Sequence, residues 1–266
     1  MADDAFLSVR GLGRRFPRGR GPERTAGWAF RGVSLDLAQG RTLGLVGPSG
    51  GGKSTLARCL ALYDAPTCGE VRLEQRSLWA AGRRERRRLR AEIQLIFQQP
   101  AAALNPRFTA GQIVAEPLLI QRRGDAESQR KRAAELMEMA GLPAGAARNR
   151  ALEFSGGERQ RLAIARALAL DPKLLILDES LSGLDVSIQA QIVNLLADLQ
   201  ERLHLTYILI SHDLRLVAGI AGEIAVMDGG SIVESGPADE LLARPRHPCT
   251  RELLDAALAL TPGGGP

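Results

Sequence analysis

Several absences narrow this chain of 266 residues before any motif is considered. Nothing in it approaches the run of about eighteen apolar residues that a membrane span needs. The opening "MADDAFLSV" also lacks the charged-then-apolar pattern of a secretory leader. The expectation is a cytosolic chain unless a partner anchors it. Cysteine is scarce: Cys59, Cys68 and Cys249 are scattered, odd in number and without metal-ligand spacing, which argues against a disulfide framework or a zinc site. Positive charge is not scarce, at a net +5, and it invites a nucleic-acid reading. Yet the densest cluster, "RRERRRLR" from Arg83 to Arg90, has no interleaved aromatics and no base-reading motif beside it. It reads as the solvated face of an amphipathic helix leading into "IQLIF", and no specific nucleic acid is expected as a partner.

What is present is globular. With 45% apolar and 24% charged residues, the chain can bury a sizeable core as one large domain or one domain with an inserted subdomain. Near the N-terminus, "FLSVRGL", "GVSLDLAQG" and "RTLGLVG" read as strands, the middle one alternating at Val33, Leu35 and Leu37. The stretch "PRGRGPERTAG" between them is expected to be an exposed loop. "STLARCLALYD" has helical spacing at Leu56, Leu60 and Tyr63. From about Leu104 the texture turns helical, with "AGQIVAEPLLIQRR" and "ESQRKRAAELMEMAGL", the latter closing at Gly141; a helical subdomain over about 104–170, inserted into a single domain of residues 1–260, is expected. Then follow the helix "SGGERQRLAIARALALDP" ended by Pro172, a buried strand "KLLILDE", the helix "QAQIVNLLADLQERL" and the strand "TYILISHD". "EIAVMDGG" and "SIVESG" suggest an antiparallel pair with "DGG" as its turn. Residues 261–266, "TPGGGP", are expected to be disordered.

The chemistry is concentrated in "GPSGGGKST": Gly47, Pro48, Ser49, Gly50, Gly51, Gly52, Lys53, Ser54 and Thr55. Gly47, Gly52, Lys53 and Ser54 satisfy the pattern Gly, four residues, Gly-Lys-Ser/Thr between a strand and a helix. Glycines let the backbone wrap an anion with several N–H groups turned inward, and the following helix adds its positive end. The stretch is built to hold a nucleoside triphosphate, with Lys53 reaching the β- and γ-phosphates and Ser54 ligating magnesium. Asp178 and Glu179, where "LLILDE" ends, supply a carboxylate for the magnesium shell and one to polarise an attacking water. Without the upstream loop, the same pair would read as a helix cap or a surface turn; with it, hydrolysis is implied.

"FSGGERQRLAIARAL", Phe154 to Leu168, lies just before the carboxylate strand, and on these residues the chain resembles the ATP-binding-cassette ATPases. Their signature, usually Leu-Ser-Gly-Gly-Gln, opens a helix that caps the γ-phosphate held by the opposite subunit; Ser155, Gly156 and Gly157 match it, and Glu158 stands in place of the usual glutamine. The resemblance carries over to further positions. Gln98 in "LIFQQP" matches the glutamine that touches magnesium and water, with Gln99 where an aspartate often follows. Asp185 in "LSGLD" matches the loop that crosses the dimer interface, and His212 in "LISHD" the histidine that contacts the γ-phosphate. Phe16 matches the aromatic that stacks on adenine, with Trp28 as its competitor. It implies an α/β P-loop NTPase fold of the ABC nucleotide-binding type, with an N-terminal antiparallel β subdomain and an inserted helical subdomain. It also implies ATP and magnesium as ligands, bound at a sandwich dimer in which Glu179, His212, Lys53 and Gln98 do the chemistry.

"LNPRFTAGQIVAEPL", "LDVSIQAQIVNLLADLQ" and "RPRHPCTRELL" look like segments of the ATPases driving oligopeptide, dipeptide and nickel uptake in bacteria. That resemblance implies a second, similar ATPase (a heterodimer, with a homodimer left open), two membrane permeases, an extracytoplasmic solute-binding protein and a place on the cytoplasmic face of the inner membrane. His247 and Cys249, two potential ligands without others nearby, are read as structural. A DNA-acting ATPase with a related head is the alternative, but such heads insert long coiled coils where this chain has only about fifty residues without sustained heptads. A ribosome-associated cassette is a further alternative, though such proteins usually carry two phosphate loops and this chain has one.

Overall fold

A computed structural model describes residues 5–18, 25–99, 103–181 and 183–259, so the tail expected to be disordered lies outside the described residues. The chain divides into two compact units: residues up to Arg90 together with those from Thr206 onward, and Ala91–Leu205.

The first unit holds two sheets. β1 (Leu7–Arg18) pairs antiparallel with β2 (Thr25–Leu37) on one side and with β4 (Cys68–Leu73) on the other, and β4 pairs with the short β5 (Arg76–Ser77). Leu7, Val9, Leu12, Phe30 and Val33 are buried against this sheet. Part of "PRGRGPERTAG", expected to be a loop, is therefore strand: Phe16, Pro17 and Arg18 sit opposite Gly27, Ala26 and Thr25. The reason is local. Pairing of β1 with β4 stops at Gly13↔Cys68, so beyond it β1 has a neighbour on one side only, and Pro17 can lack an N–H there without breaking a second ladder.

The second sheet of this unit is built on β3 (Thr42–Val46), which runs parallel to β8 (Thr206–Ser211) and to β9 (Glu223–Asp228). All residues of β3 and β8 are buried, as continuous apolar runs in parallel strands should be. β10 (Ser231–Pro237) folds back antiparallel on β9 through Gly229 and Gly230, both at positive φ. The Arg31 N–H donates to the Gly230 carbonyl at 2.9 Å, which ties β2 to that turn. α1 (Lys53–Leu60) follows β3, α2 (Arg83–Glu92) carries the chain from this unit into the second, and α7 (Leu214–Ala218), α8 (Ala238–Ala243) and α9 (Pro248–Ala259) complete the first.

In the second unit, β6 (Ile93–Ile96) and β7 (Leu174–Asp178) are parallel partners, and β7 is wholly buried. Between them in sequence lie the helices α3 (Ala110–Gln121), α4 (Ala126–Met139) and α5 (Gly156–Leu168); α6 (Val186–Leu203) comes after β7. Thr109 caps α3 and Asp125 caps α4, each through a side-chain oxygen that accepts from the backbone N–H three residues on. Arg166 of α5 bonds Glu116 of α3 at 2.8 Å. Asp171 holds Arg132 at 2.8 Å and Arg123 at 3.4 Å, which pins α4 to the turn before β7. The stretch 104–170 thus carries three helices, while its unit also includes a pair of strands and α6.

Candidate functional site

The phosphate loop lies in the first unit, between β3 and α1. Gly52 stands at the helix N-cap with φ 97°, a conformation that favours glycine, and a Cβ there would meet the Ala29 carbonyl oxygen at 2.5 Å. No side chain caps α1, and its first turn carries no acid. Lys53 is 3% exposed, and its Nζ donates to the carbonyl oxygens of Gly47 (2.8 Å) and Pro48 (2.9 Å). A buried ammonium is thereby fixed under the loop, beside a helix end with positive partial charge. Ser54 and Thr55 follow in the first helical turn, half-buried. Pro48, Ser49 and Gly50 are exposed, and the loop is braced by the Gly51 N–H donating to the Pro48 carbonyl at 3.2 Å.

His212 enters the same neighbourhood by sheet register. Val46 and Ser211 are partners in β3 and β8, so Gly47 and His212 leave adjacent parallel strands at the same level. His212 is exposed, and Asp213 behind it caps α7 by accepting from the Arg215 N–H at 2.9 Å.

The two aromatics near the strand ends differ. Phe16 is half-buried, faces the side-chain-free Gly27 and has the Arg14 guanidinium 4.6 Å from its ring centroid. Trp28 has the guanidinium groups of Arg15 at 5.6 Å and Arg31 at 5.1 Å, and its ring packs so closely over Gly13 that a Cβ there would sit 2.9 Å away.

The second unit carries the carboxylates. Asp178 ends β7 at 5% exposure, and Glu179 follows at φ 45°, a turn that breaks the strand direction. Ile96 of β6 partners Leu177, and Gln98 leaves β6 beside them; its Nε2 donates to Glu179 Oε2 at 2.8 Å. The structure thus brings Gln98 and Glu179 into contact, a pairing of residues 81 apart that no local pattern reveals.

In this unit Ser155 is the N-cap of α5 in a full capping box. Its Oγ accepts from the Glu158 N–H at 3.3 Å, while Glu158 Oε2 accepts from the Ser155 N–H and hydroxyl, each at 2.8 Å. These bonds, the backbone one first, hold the Glu158 carboxyl below the usual carboxylate range. Ser155 and Gly156 are exposed. Gly157 is buried, where a Cβ would meet Ile188 Cγ2 at 2.7 Å, so glycine is what lets α5 approach α6. Asp185 is the N-cap of α6, accepting from the Ile188 N–H at 2.9 Å, and Val186 beside it is 81% exposed.

His247 and Cys249 have a structural place. The His247 Nδ1 accepts from the Cys249 N–H at 3.3 Å, and burial pushes the Cys249 thiol up. Glu234 of β10, which the sequence reading missed, gathers the backbone N–H groups of Arg246 and His247, each at 2.9 Å, and the Thr250 hydroxyl. One carboxylate thus anchors the start of α9. Among the described residues, no cluster of three or more His, Cys, Asp or Glu side chains could hold a metal ion, and no helix is long and apolar enough to cross a membrane.

The sequence profile described as ABC transporter matches residues 30–182, more than half of the chain. This chain belongs to the ABC transporter family. It is 43% identical over 261 residues to the di/tripeptide transport ATP-binding protein DppF of Pseudomonas aeruginosa, covering 97% of this chain and 81% of that protein. It is 48% identical over 228 residues to the oligopeptide transport ATP-binding protein OppD of Mycobacterium tuberculosis, a match over 86% of this chain but only 37% of that longer protein. Among solved structures, the ATP-binding cassette MJ0796 in a dimeric post-hydrolysis state with ADP and Pi superposes with TM-score 0.78 at 30% identity, over 87% of this chain and 98% of the other. The fold is therefore that of an ABC ATPase cassette: an α/β P-loop NTPase with an antiparallel β region and helical parts.

Proposed function

We propose that this ABC transporter family member is the ATP-hydrolysing subunit of a bacterial peptide importer, and that its residues act in the following roles. Lys53 and the backbone N–H groups of the phosphate loop bind the β- and γ-phosphates, with no protein carboxylate in the first turn of α1 to compete. Phe16 stacks on the base, since the Trp28 ring is packed over Gly13 whereas Phe16 sits opposite the side-chain-free Gly27. Ser54, Gln98 and Asp178 offer the hard oxygen donors that suit magnesium and would hold that ion, which supplies neutralisation of the phosphate charge. Glu179 releases Gln98 and orients the attacking water, and His212 contacts the γ-phosphate.

Ser155, Gly156, Gly157, Glu158 and Asp185 serve the nucleotide held by a second ATPase subunit, so ATP joins two cassettes. A similar but nonidentical second cassette is the favoured partner. Two membrane permeases hold the pair at the cytoplasmic face of the inner membrane and receive cargo from an extracytoplasmic binding protein. Relatives named for di-, tri- and oligopeptide transport favour peptide cargo over the nickel or metal chelate that the resemblance also implies.

The observation that carries this reading is a phosphate loop with a buried lysine and an uncapped helix, in a chain similar over nearly its whole length to a peptide-transport ATP-binding protein. A tagged Glu179→Gln protein held closed by ATP and recovered from detergent-solubilised membranes tests it. Two permeases and a second cassette are expected to co-purify. Recovery only from the soluble fraction, with nucleic acid or ribosomes, would overturn the importer.

A further inference from the structure

The most basic feature of the chain has no role in the proposed ATPase. Six of the eight residues from Arg83 to Arg90 are arginine, and in α2 only Leu89 among these eight is buried. Leu89 and Ala91 bury the inner side of the helix, and the arginines at 83, 84, 87, 88 and 90 are exposed. Positions 83/87 and 84/88 are four apart, so they form two adjacent ridges on one face. Of the nearby acids, Glu85 pairs with an arginine of this face and the others pair outside it. Glu85 lies 3.4 Å from Arg76 and 3.6 Å from Arg88, Glu74 bonds Arg76 at 3.0 Å, and Asp64 bonds Arg58 at 2.8 Å. Arg90 donates to the Leu62 carbonyl at 3.0 Å, which brings the helix against the turn where Tyr63 stands 61% exposed.

We propose that this face, the exposed arginines of α2 with Tyr63 at its edge, docks on the anionic phospholipid headgroups of a bilayer. Charge complementarity carries the proposal. Guanidinium groups match phosphate oxygens with two parallel donors, and a helix gathers several of them on one face. A tyrosine with an apolar body and a polar tip suits the headgroup level. A single-stranded nucleic acid would call for successive stacking aromatics, and Tyr63 is the one aromatic among the exposed large hydrophobic side chains of the described residues. Choosing a bilayer rests on the reading of the chain as a membrane-bound ATPase. The binding itself needs neither permeases nor nucleotide, so the two ideas fail separately.

The test is co-sedimentation of the purified chain with phosphatidylcholine vesicles and with phosphatidylcholine–phosphatidylglycerol vesicles, at low and high salt. Each basic residue near an anionic surface contributes substantially to the partition. Binding to the mixed vesicles only is expected, falling roughly tenfold or more in Arg83→Glu/Arg84→Glu. The charge-matched control Arg130→Glu/Lys131→Glu on the exposed part of α4 should bind as the parent does. Both double variants should melt as the parent does and still bind ATP. No binding to mixed vesicles, equal loss in both double variants, or tighter binding to a competing RNA than to the vesicles would overturn the proposal.

Discussion

Two helices of this cassette begin in opposite ways. α1 opens after Gly52 with no side-chain cap, no acid in its first turn and a buried lysine ammonium under the loop. α5 opens at Ser155 with its cap complete, the Ser155 N–H and hydroxyl both held by the Glu158 carboxylate at 2.8 Å. An uncapped helix end leaves its N–H groups to an anion from outside, whereas a capping box satisfies them from within. Under the proposed function, the α1 end is therefore the one open to nucleotide in the isolated chain. At α5 the Ser155 N–H and hydroxyl are already taken by Glu158, so under the proposed function their use by the nucleotide of a second subunit would require those two bonds to be given up.

The contrast can be broken from either side. The largest effect is expected at the open end. Lys53→Ala removes a charged donor from the phosphates, and charge-assisted bonds of this kind contribute about 1.5–3 kcal/mol each. ATP affinity measured by calorimetry should fall about a hundredfold, while ATP affinity unchanged from the parent would mean that the loop is not the nucleotide site. Next comes the base. Phe16→Ala should weaken ATP binding by roughly tenfold, in line with base–aromatic stacking of about 1–3 kcal/mol. Trp28→Ala should instead lower the melting temperature and leave the affinity nearer that of the parent, because Trp28 packs on Gly13.

The closed end gives the smallest effect. Glu158→Gln keeps an acceptor for the Ser155 N–H but removes the negative charge. In the presence of ATP it should tighten association of two cassettes by about fivefold, the scale of one charge at a helix terminus. It should also change the acid limb of stability in a definite direction. The folded-state pKa of Glu158 is depressed, so its contribution is present above the ordinary carboxylate range and is lost as pH falls through the folded value. The parent should therefore lose slightly more stability than the variant on acidification, as read by melting curves at neutral pH and near pH 3.

Much of this contrast was legible in the sequence, and the rest was not for identifiable reasons. The loop around Lys53 is a local pattern between a strand and a helix, and "LLILDE" announces its own burial and its own break. Ser155 and Glu158 also spell a capping box, Ser-x-x-Glu. Set beside the family signature it resembles, Glu158 stands out as a departure from glutamine, which hides its part as the partner of Ser155. The extension of β1 through Pro17 was hidden because proline and glycine signal turns, while its tolerance there depends on how far β4 extends alongside. Bonds across long sequence separations had no local trace at all: Gln98 to Glu179, and Glu234 to Arg246, His247 and Thr250.

The central claim is that nucleotide bound at the loop is hydrolysed through Glu179. The most direct measurement is steady-state ATP turnover of Glu179→Gln beside its ATP affinity, each compared with the parent protein. Loss of a general base typically costs about 10²–10⁴ in rate, so turnover should drop by that order while ATP binds as tightly as before. Turnover near that of the parent would contradict the assignment of Glu179 and the account built on it.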